Sequence, residues 1–309
     1  MGNQAKRYLT IIVNDHENDN NNLFKALSSI DNQIGFDLKE ELQVLLLTNN
    51  KKVDQHNTIT FFKNLNISFL IRDTDNYAIL ANEALKIVDT EWVTFMDSRD
   101  LLFADGSLLD FLNFSKNPQN NTNLFIFKYL IPIISNNQIS DFSAVDYLNF
   151  PFGKYFKKSF LKNKAILFND HLNHYLLEDF TSRAVEICQK PIWINLVNYY
   201  MGFRTPEKDI LTEFIQYRLT FLEFIQKNNV DGQTYVRDLV WSIVRAFYIL
   251  EDQNLVDIPS AKQDLLKLVN LVRPFNDYEK KIANEFKQQQ GTHKMGFSQF
   301  EDLFRGNEE

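Results

Sequence analysis

The sequence is short of several things at once. It carries one cysteine, Cys188, in 309 residues. One thiol cannot form an internal disulfide, so the chain needs no oxidising compartment and a cytoplasmic setting is expected. Glycine (9 residues) and proline (7) are scarce. No Gly-rich phosphate loop of the Walker or dinucleotide kind is present, so a nucleotide would have to be held at strand ends. No apolar run approaches the roughly 20 residues that cross a bilayer. The N-terminal run Tyr8 to Val13 is also shorter than the roughly 7–15-residue core of a signal peptide. Positive charge is not in excess: Lys and Arg number 33 against 40 Asp and Glu, a net charge of −7. A broad basic surface for nucleic acid is thereby excluded. The five histidines and single cysteine have no zinc spacing. His171 and His174 beside Asp170 come nearest and read as a loop. No Gly-x-Ser-x-Gly elbow occurs either.

What is abundant is phenylalanine, 28 residues, within 44% hydrophobic and 24% charged residues. That balance is of a globular protein with an aromatic core. Short apolar, β-branched runs read as buried strands: Tyr8 to Val13, Leu42 to Leu47, Asn66 to Ile71 and Trp92 to Met96. Between them, Leu23 to Ile30 and Ala78 to Val88 have helical spacing, with Leu23, Phe24, Leu27 and Ile30 on one face. Continuous apolar strands alternating with amphipathic helices predict a largely parallel sheet covered on both faces. In such sheets ligands bind beyond the carboxyl ends of the strands. The polar clusters 14–17, 48–50 and 97–100 are therefore the candidate site.

Asn123 to Ser135 reads as further strand, with Pro132 marking an edge or break. A basic stretch follows at Lys154, Lys157, Lys158, Lys162 and Lys164, and Leu176 to Cys188 has helical spacing. After about residue 206 the pattern changes. Residues 207–228, 233–251, 260–272 and 276–288 are helical with no convincing strand, and the polar tail from Gln289 reads as frayed. Two domains are expected: 1–205, an α/β domain, and 206–309, an all-helical region supplying packing, oligomer or partner contacts.

The order of the polar clusters resembles the family 2 glycosyltransferases, which have the GT-A fold, a Rossmann-like, largely parallel mixed sheet flanked by helices. The segments that carry the resemblance are the turn 14–17, the strand ending Thr48-Asn49-Asn50, the segment Asn76 to Asn82, and Phe95-Met96-Asp97-Ser98-Arg99-Asp100. Downstream come Lys154 to Lys158, Ile166-Leu167-Phe168, Glu178-Asp179 and Tyr200-Met201-Gly202-Phe203-Arg204. The resemblance spans roughly residues 8–205. It implies an inverting transfer from a nucleotide-diphosphate sugar, with UDP foremost, to a glycan, polyol-phosphate or protein-linked acceptor in cell-surface polysaccharide or teichoic-acid synthesis.

The resemblance also assigns roles. Asn14, Asp15 and His16 would line the base and ribose pocket, with Asn49 reading a base edge through its donor and acceptor. Asn82, Asp97, Ser98, Arg99 and Arg204 would meet the donor. In the family the Asp-rich turn holds Mn2+ or Mg2+, because neighbouring carboxylates share a hard cation that neutralises the leaving diphosphate. Asp97 and Asp100 are the candidate metal ligands. Here the usual second aspartate is Arg99, whose fork itself suits phosphate oxygens. The arginine usual in the preceding segment is Ala81, with Arg72 nearby as a substitute. Asp179 would take the acceptor's proton, with Glu178 in support; acidic residues at a helix start also complement its dipole without any catalytic role. The basic stretch allows peripheral membrane contact, and the C-terminal helices allow a homo-oligomer. The altered turn and the helical third equally fit a non-catalytic relative acting as partner or regulatory subunit of a glycosylation complex.

Overall fold

The computed structural model describes residues 7–15, 20–49, 55–135, 138–146, 150–202, 210–228, 232–256, 258–289 and 296–305. The chain divides into two compact units, Met1–Thr205 and Pro206–Glu309. In the first the order is β1 (Leu9–Asn14), α1 (Asn20–Asp31), β2 (Leu42–Thr48), α2 (Gln55–Phe61), β3 (Ile67–Ile71), α3 (Tyr77–Ile87), β4 (Trp92–Asp97) and β5 (Leu101–Leu102). It continues with α4 (Ser107–Lys116), β6 (Leu124–Ser135), β7 (Gln138–Val145), β8 (Lys154–Lys157), α5 (Lys158–Asn163), α6 (Leu176–Cys188) and β9 (Ile192–Tyr200).

Among the described residues one sheet has the order β3-β2-β1-β4-β8-β6-β9-β5, with β7 paired to β6. Strands β3, β2, β1 and β4 run parallel. Strand β8 runs antiparallel to β4 and β6, and β9 returns parallel to β6. This is the mostly parallel, helix-flanked sheet that the alternation of runs predicts. Strands β1 and β4 are almost wholly buried, because helices cover both faces of a parallel sheet.

Side chains alternate across the sheet, and the aromatic core divides accordingly. Trp92, Phe111, Phe125 and Tyr155 cluster on the α4 face, where Phe111 stacks on Tyr155 at 4.0 Å. Phe95, Phe156, Phe168 and Phe180 cluster on the α6 face, where Phe168 stacks on Phe180 at 4.0 Å. Removing one such ring costs about 3–5 kcal/mol.

Several elements differ from expectation. Helix α2 stands between β2 and β3, where its polar sequence QHNTITF buries only Thr58. Residues 192–200 form β9, central to the site, although the sequence gives that segment little alternation. Pro132 lies opposite Phe142 of β7, beyond Leu130, the last β6 residue paired with β9. Its missing N–H therefore falls where no strand runs on that side among the described residues. The basic stretch is not one surface. Lys154 is wholly buried and Lys157 and Lys158 are half-buried, while Lys162 and Lys164 are exposed.

The second unit contains α7 (Leu211–Lys227), α8 (Gly232–Asp252), α9 (Pro259–Val272), α10 (Tyr278–Gln289) and α11 (Phe297–Arg305). Helix α8 packs against α7, α9 and α10 and is buried along most of its length. The tail is not frayed throughout. Helix α11 buries Phe300, whose ring meets Phe247 and Phe286, so it docks through an apolar anchor in a polar sequence. No helix of the described residues is long and apolar enough to cross a membrane.

Candidate functional site

The sheet brings the polar strand ends together. Asn14 lies in register with Asp97 on one side and Leu47 on the other. Ser98 N–H donates to Asn14 O at 2.9 Å, and Asp15 N–H donates to Leu47 O at 2.9 Å. Asn14, Asp15, Asn49, Asp97, Ser98 and Arg99 therefore share one carboxyl edge, between strands that lead to opposite halves of the sheet, where ligands bind in open α/β sheets. Asp15, Asp97 and Ser98 are buried. His16 and Arg204 lie outside the described residues.

Topology also brings Glu178 and Asp179 to this edge. Asp97 points to the same face as Phe95, two residues earlier, and Phe95 meets Phe180 at 5.4 Å. Strand β9 runs parallel to β4, so α6, which feeds β9, starts at the carboxyl edge. The loop before α6 climbs along α3 to reach it. The Asn82 amide donates to Phe168 O and accepts from Phe168 N–H, both at 2.8 Å. One turn and a half nearer the edge, Asn76 donates to Asp170 O at 3.2 Å. Asn82, expected at the donor, thus acts as a piece of backbone pairing that fixes the loop carrying Asp179.

Asp179 is wholly buried in the first turn of α6. Its Oδ2 accepts from Arg183 Nε at 3.0 Å and from Arg183 Nη2, one turn on. Arg183 Nη2 also donates to Leu167 O at 2.6 Å. Arg183 and the helix start both put positive charge beside this carboxylate. Glu178 beside it is half-buried.

The Asp97-Ser98-Arg99-Asp100 turn is closed on itself. Arg99 donates from Nε to Asp97 Oδ1 at 2.8 Å and from Nη2 to Oδ2 at 3.0 Å, and its N–H donates to Oδ1 at 3.0 Å. The Arg99 side chain is 28% exposed, so it is only partly covered at this edge. Asp100 is wholly buried. Its Oδ1 accepts from Gly202 N–H at 2.8 Å and its Oδ2 from the Tyr199 hydroxyl. The same hydroxyl accepts from Asp97 N–H at 3.4 Å, and Phe152 stacks on the Tyr199 ring at 5.8 Å. Both carboxylates expected to hold a divalent cation are engaged in protein contacts, and they do not fit that role. Among the described residues no group of three or more His, Cys, Asp or Glu side chains could hold a metal.

Four residues to which the sequence assigned no role complete the edge. Tyr199 and Gly202 fasten the end of β9 to the turn; a methyl at Gly202 would lie 2.2 Å from Arg99 O, so only glycine fits. Arg183 holds Asp179. Tyr77, the first residue of α3, has a buried hydroxyl with no hydrogen-bond partner among the described residues. Burial, and then the nearby Asp97 charge, push that hydroxyl above its ordinary range. Asn49 donates to Asp75. Arg72, suggested as a substitute phosphate contact, pairs with Glu83 at 2.8 Å on an exposed surface. At the start of β8 the buried Lys154 ammonium donates to Phe150 O at 2.6 Å and sits over the Tyr129 ring at 5.5 Å. Burial pushes it down to about 7, against an opposing pull from Asp146.

No family model matches this chain, and no curated protein matches it. Solved structures do. S. aureus TarS superposes with a TM-score of 0.70 at 14% identity, over 96% of this chain and 54% of TarS. The fold is GT-A. The chain spans about half the length of that TarS structure. Residues 1–349 of TarS in complex with UDP-GlcNAc give a TM-score of 0.66 at 15% identity, covering 89% of this chain and 81% of that one. The mannosyltransferase PcManGT from Pyrobaculum calidifontis, in complex with GDP-Man and Mn2+, gives 0.50 at 14% identity over 91% and 84%. Within this fold, the residues Asn14, Asp15, Asn49, Asp97, Ser98 and Arg99 stand at the carboxyl edge of β1, β2 and β4.

Proposed function

We propose that this chain is a glycosyltransferase that moves a sugar from a nucleotide-diphosphate donor, a UDP-sugar foremost, to an acceptor hydroxyl on a surface glycan or polyol-phosphate polymer. The observation that carries this reading is the joint placement of the Asp97–Arg99 pair and the first turn of α6 on one face, at the carboxyl edge of a GT-A sheet. The likeness to TarS structures holding UDP and UDP-GlcNAc supports the choice of donor.

Asn14, Asp15 and Asn49 would hold the base and ribose, and Asp97 a ribose hydroxyl. Asp179 would act as general base, oriented by Arg183. The acceptor oxygen attacks the anomeric carbon and its proton passes to the Asp179 carboxylate. The bond from that carbon to the phosphate oxygen breaks, and the nucleoside diphosphate leaves with the electron pair. Attack opposite the leaving group inverts the centre. A single base and no covalent intermediate then suffice. The helical unit would contribute acceptor or partner contacts.

Calorimetric titration with UDP and UDP-GlcNAc tests the reading. Binding at micromolar to millimolar concentration, weakened at least tenfold by Asp97→Ala, is expected. Failure to bind any nucleoside diphosphate would sink it. If binding is intact but Asp179→Asn leaves glycan formation unchanged in cells, a non-catalytic partner role replaces it.

A further inference from the structure

A cation-binding turn needs carboxylate oxygens that face a common point and carry charge for the ion. The turn here has neither property to offer. Both Asp97 oxygens face the Arg99 guanidinium, and Oδ1 also takes the Arg99 N–H. The Asp100 carboxylate is turned away into the protein, where it holds Gly202 N–H and the Tyr199 hydroxyl. A divalent ion at Asp97 would have to break a two-point charged fork, and would then sit beside the guanidinium it had displaced. Like charges that close repel.

The same geometry supplies what a cation would supply. Arg99 stands one residue short of Asp100, in the middle of the turn. It is held at a fixed angle by Asp97, yet remains partly exposed at the edge. A guanidinium has five N–H donors in a rigid plane; the Nε and Nη2 edge of Arg99 meets Asp97, so a pair of phosphate oxygens would meet it at the other edge, Nη1 and Nη2. Asp97 thus orients the group without burying it.

Resting on the proposed function, we infer that this chain binds the diphosphate of its donor without a divalent cation, the Arg99 guanidinium supplying the positive charge in the metal's place.

The test uses the full chain and UDP alone as probe, titrated by calorimetry in EDTA and again with Mn2+. The wild-type dissociation constant should agree within twofold in the two conditions. Arg99→Ala leaves the buried Asp97 carboxylate without its fork, so it is titrated at a temperature where it is folded, and there it should weaken UDP at least tenfold in EDTA. Arg99→Lys keeps the charge but loses the fork, and should fall between the two. Arg99→Asp restores the paired carboxylates and should bind UDP only with Mn2+. Two results overturn the inference: wild-type UDP binding that is tenfold or more tighter with Mn2+ than in EDTA, or Arg99→Ala and Arg99→Lys that bind UDP as the wild type does in EDTA. A wild type that binds no UDP in either condition fails the proposed function itself.

Discussion

Gly202→Ala should be among the most damaging single-methyl changes in the first unit. The added carbon would lie 2.2 Å from Arg99 O, 3.1 Å from Arg99 C and 3.3 Å from Arg99 Cβ. The closest of these is well inside the roughly 3.5 Å at which such atoms attract. Two of the three atoms are backbone, so no side-chain rotation relieves the clash, and either the turn or the end of β9 must move by about 1 Å. Overpacking of this kind costs about 1–3 kcal/mol. The movement also pulls Gly202 N–H from the buried Asp100 carboxylate, now 2.8 Å away. A hydrogen bond to a charged group contributes about 1.5–3 kcal/mol. Together these give about 3–6 kcal/mol, and about 2–4 °C per kcal/mol applies to a unit of this size, so the melting temperature should fall by roughly 10 °C.

The assay is calorimetric melting of the full chain, with UDP titration at a temperature where the variant is folded. Gly106→Ala is the control. Nothing lies within 4 Å of a methyl there, and the change at the start of α4 should cost no more than about 1 kcal/mol. UDP affinity should drop at least tenfold in Gly202→Ala and stay unchanged in Gly106→Ala, because only the first moves the turn that carries Arg99. A Gly202→Ala chain that melts within about 2 °C of wild type and binds UDP normally would refute the claim that β9 and the turn are locked together.

Asp179→Ala leaves the Arg183 guanidinium buried without that carboxylate, and should cost about 3–5 kcal/mol in a thermal melt. Asp179→Asn should cost less, preserve UDP binding and lower turnover at least a hundredfold, a split that a purely structural aspartate would not give. Tyr77→Phe removes a buried hydroxyl with no partner among the described residues; melting should be unchanged or higher, and a fall of more than about 2 °C would mean the hydroxyl was satisfied. Lys154 is pushed from 10.5 down to about 7. Above pH 7 the folded chain has therefore released a proton that the unfolded chain keeps until its ordinary range, and this group's contribution to stability rises with pH through that window. Melting followed from pH 7 to pH 9 should show that rise, and Lys154→Met should flatten it.

The fold was legible where the signal was a long apolar run. Strands β1, β2, β3 and β4 and helices α3 and α6 follow directly from continuous apolar segments and 3.6-residue spacing. Helix α2 was not, because it buries one threonine and is held by its place in the chain order rather than by an apolar stripe. Strand β9 was not, because it is uneven in burial: Trp193 and Leu196 are exposed while Asn198 is buried, donating to the Tyr155 hydroxyl at 3.0 Å. Helix α11 was obscured by a polar sequence whose docking rests mainly on Phe300 and its neighbours.

The site was legible in a different measure, and the reason lies in hydrogen-bond partners. Sequence can mark Asn82 as a polar residue at the right spacing, but an amide carries a donor and an acceptor that suit a backbone as well as a ligand. Phe168 claims both. The consequence is still functional, since Asn82 and Asn76 pin the loop that raises the first turn of α6 to the carboxyl edge. Asp100 follows the same logic. Read as one of two metal carboxylates, it is a buried acceptor for Tyr199 and Gly202, and neither partner could be assigned to it without the register of β9. Arg99 is the converse case. Its departure from the family pattern was visible in one letter, but that it forks to Asp97 while staying partly exposed required the turn's geometry. If the arginine does replace the cation, changing its side chain should change the chemistry of donor binding while leaving the turn joined to β9, because the hydrogen bonds that close the turn run through Asp97 N–H and the Asp100 carboxylate and not through the Arg99 side chain.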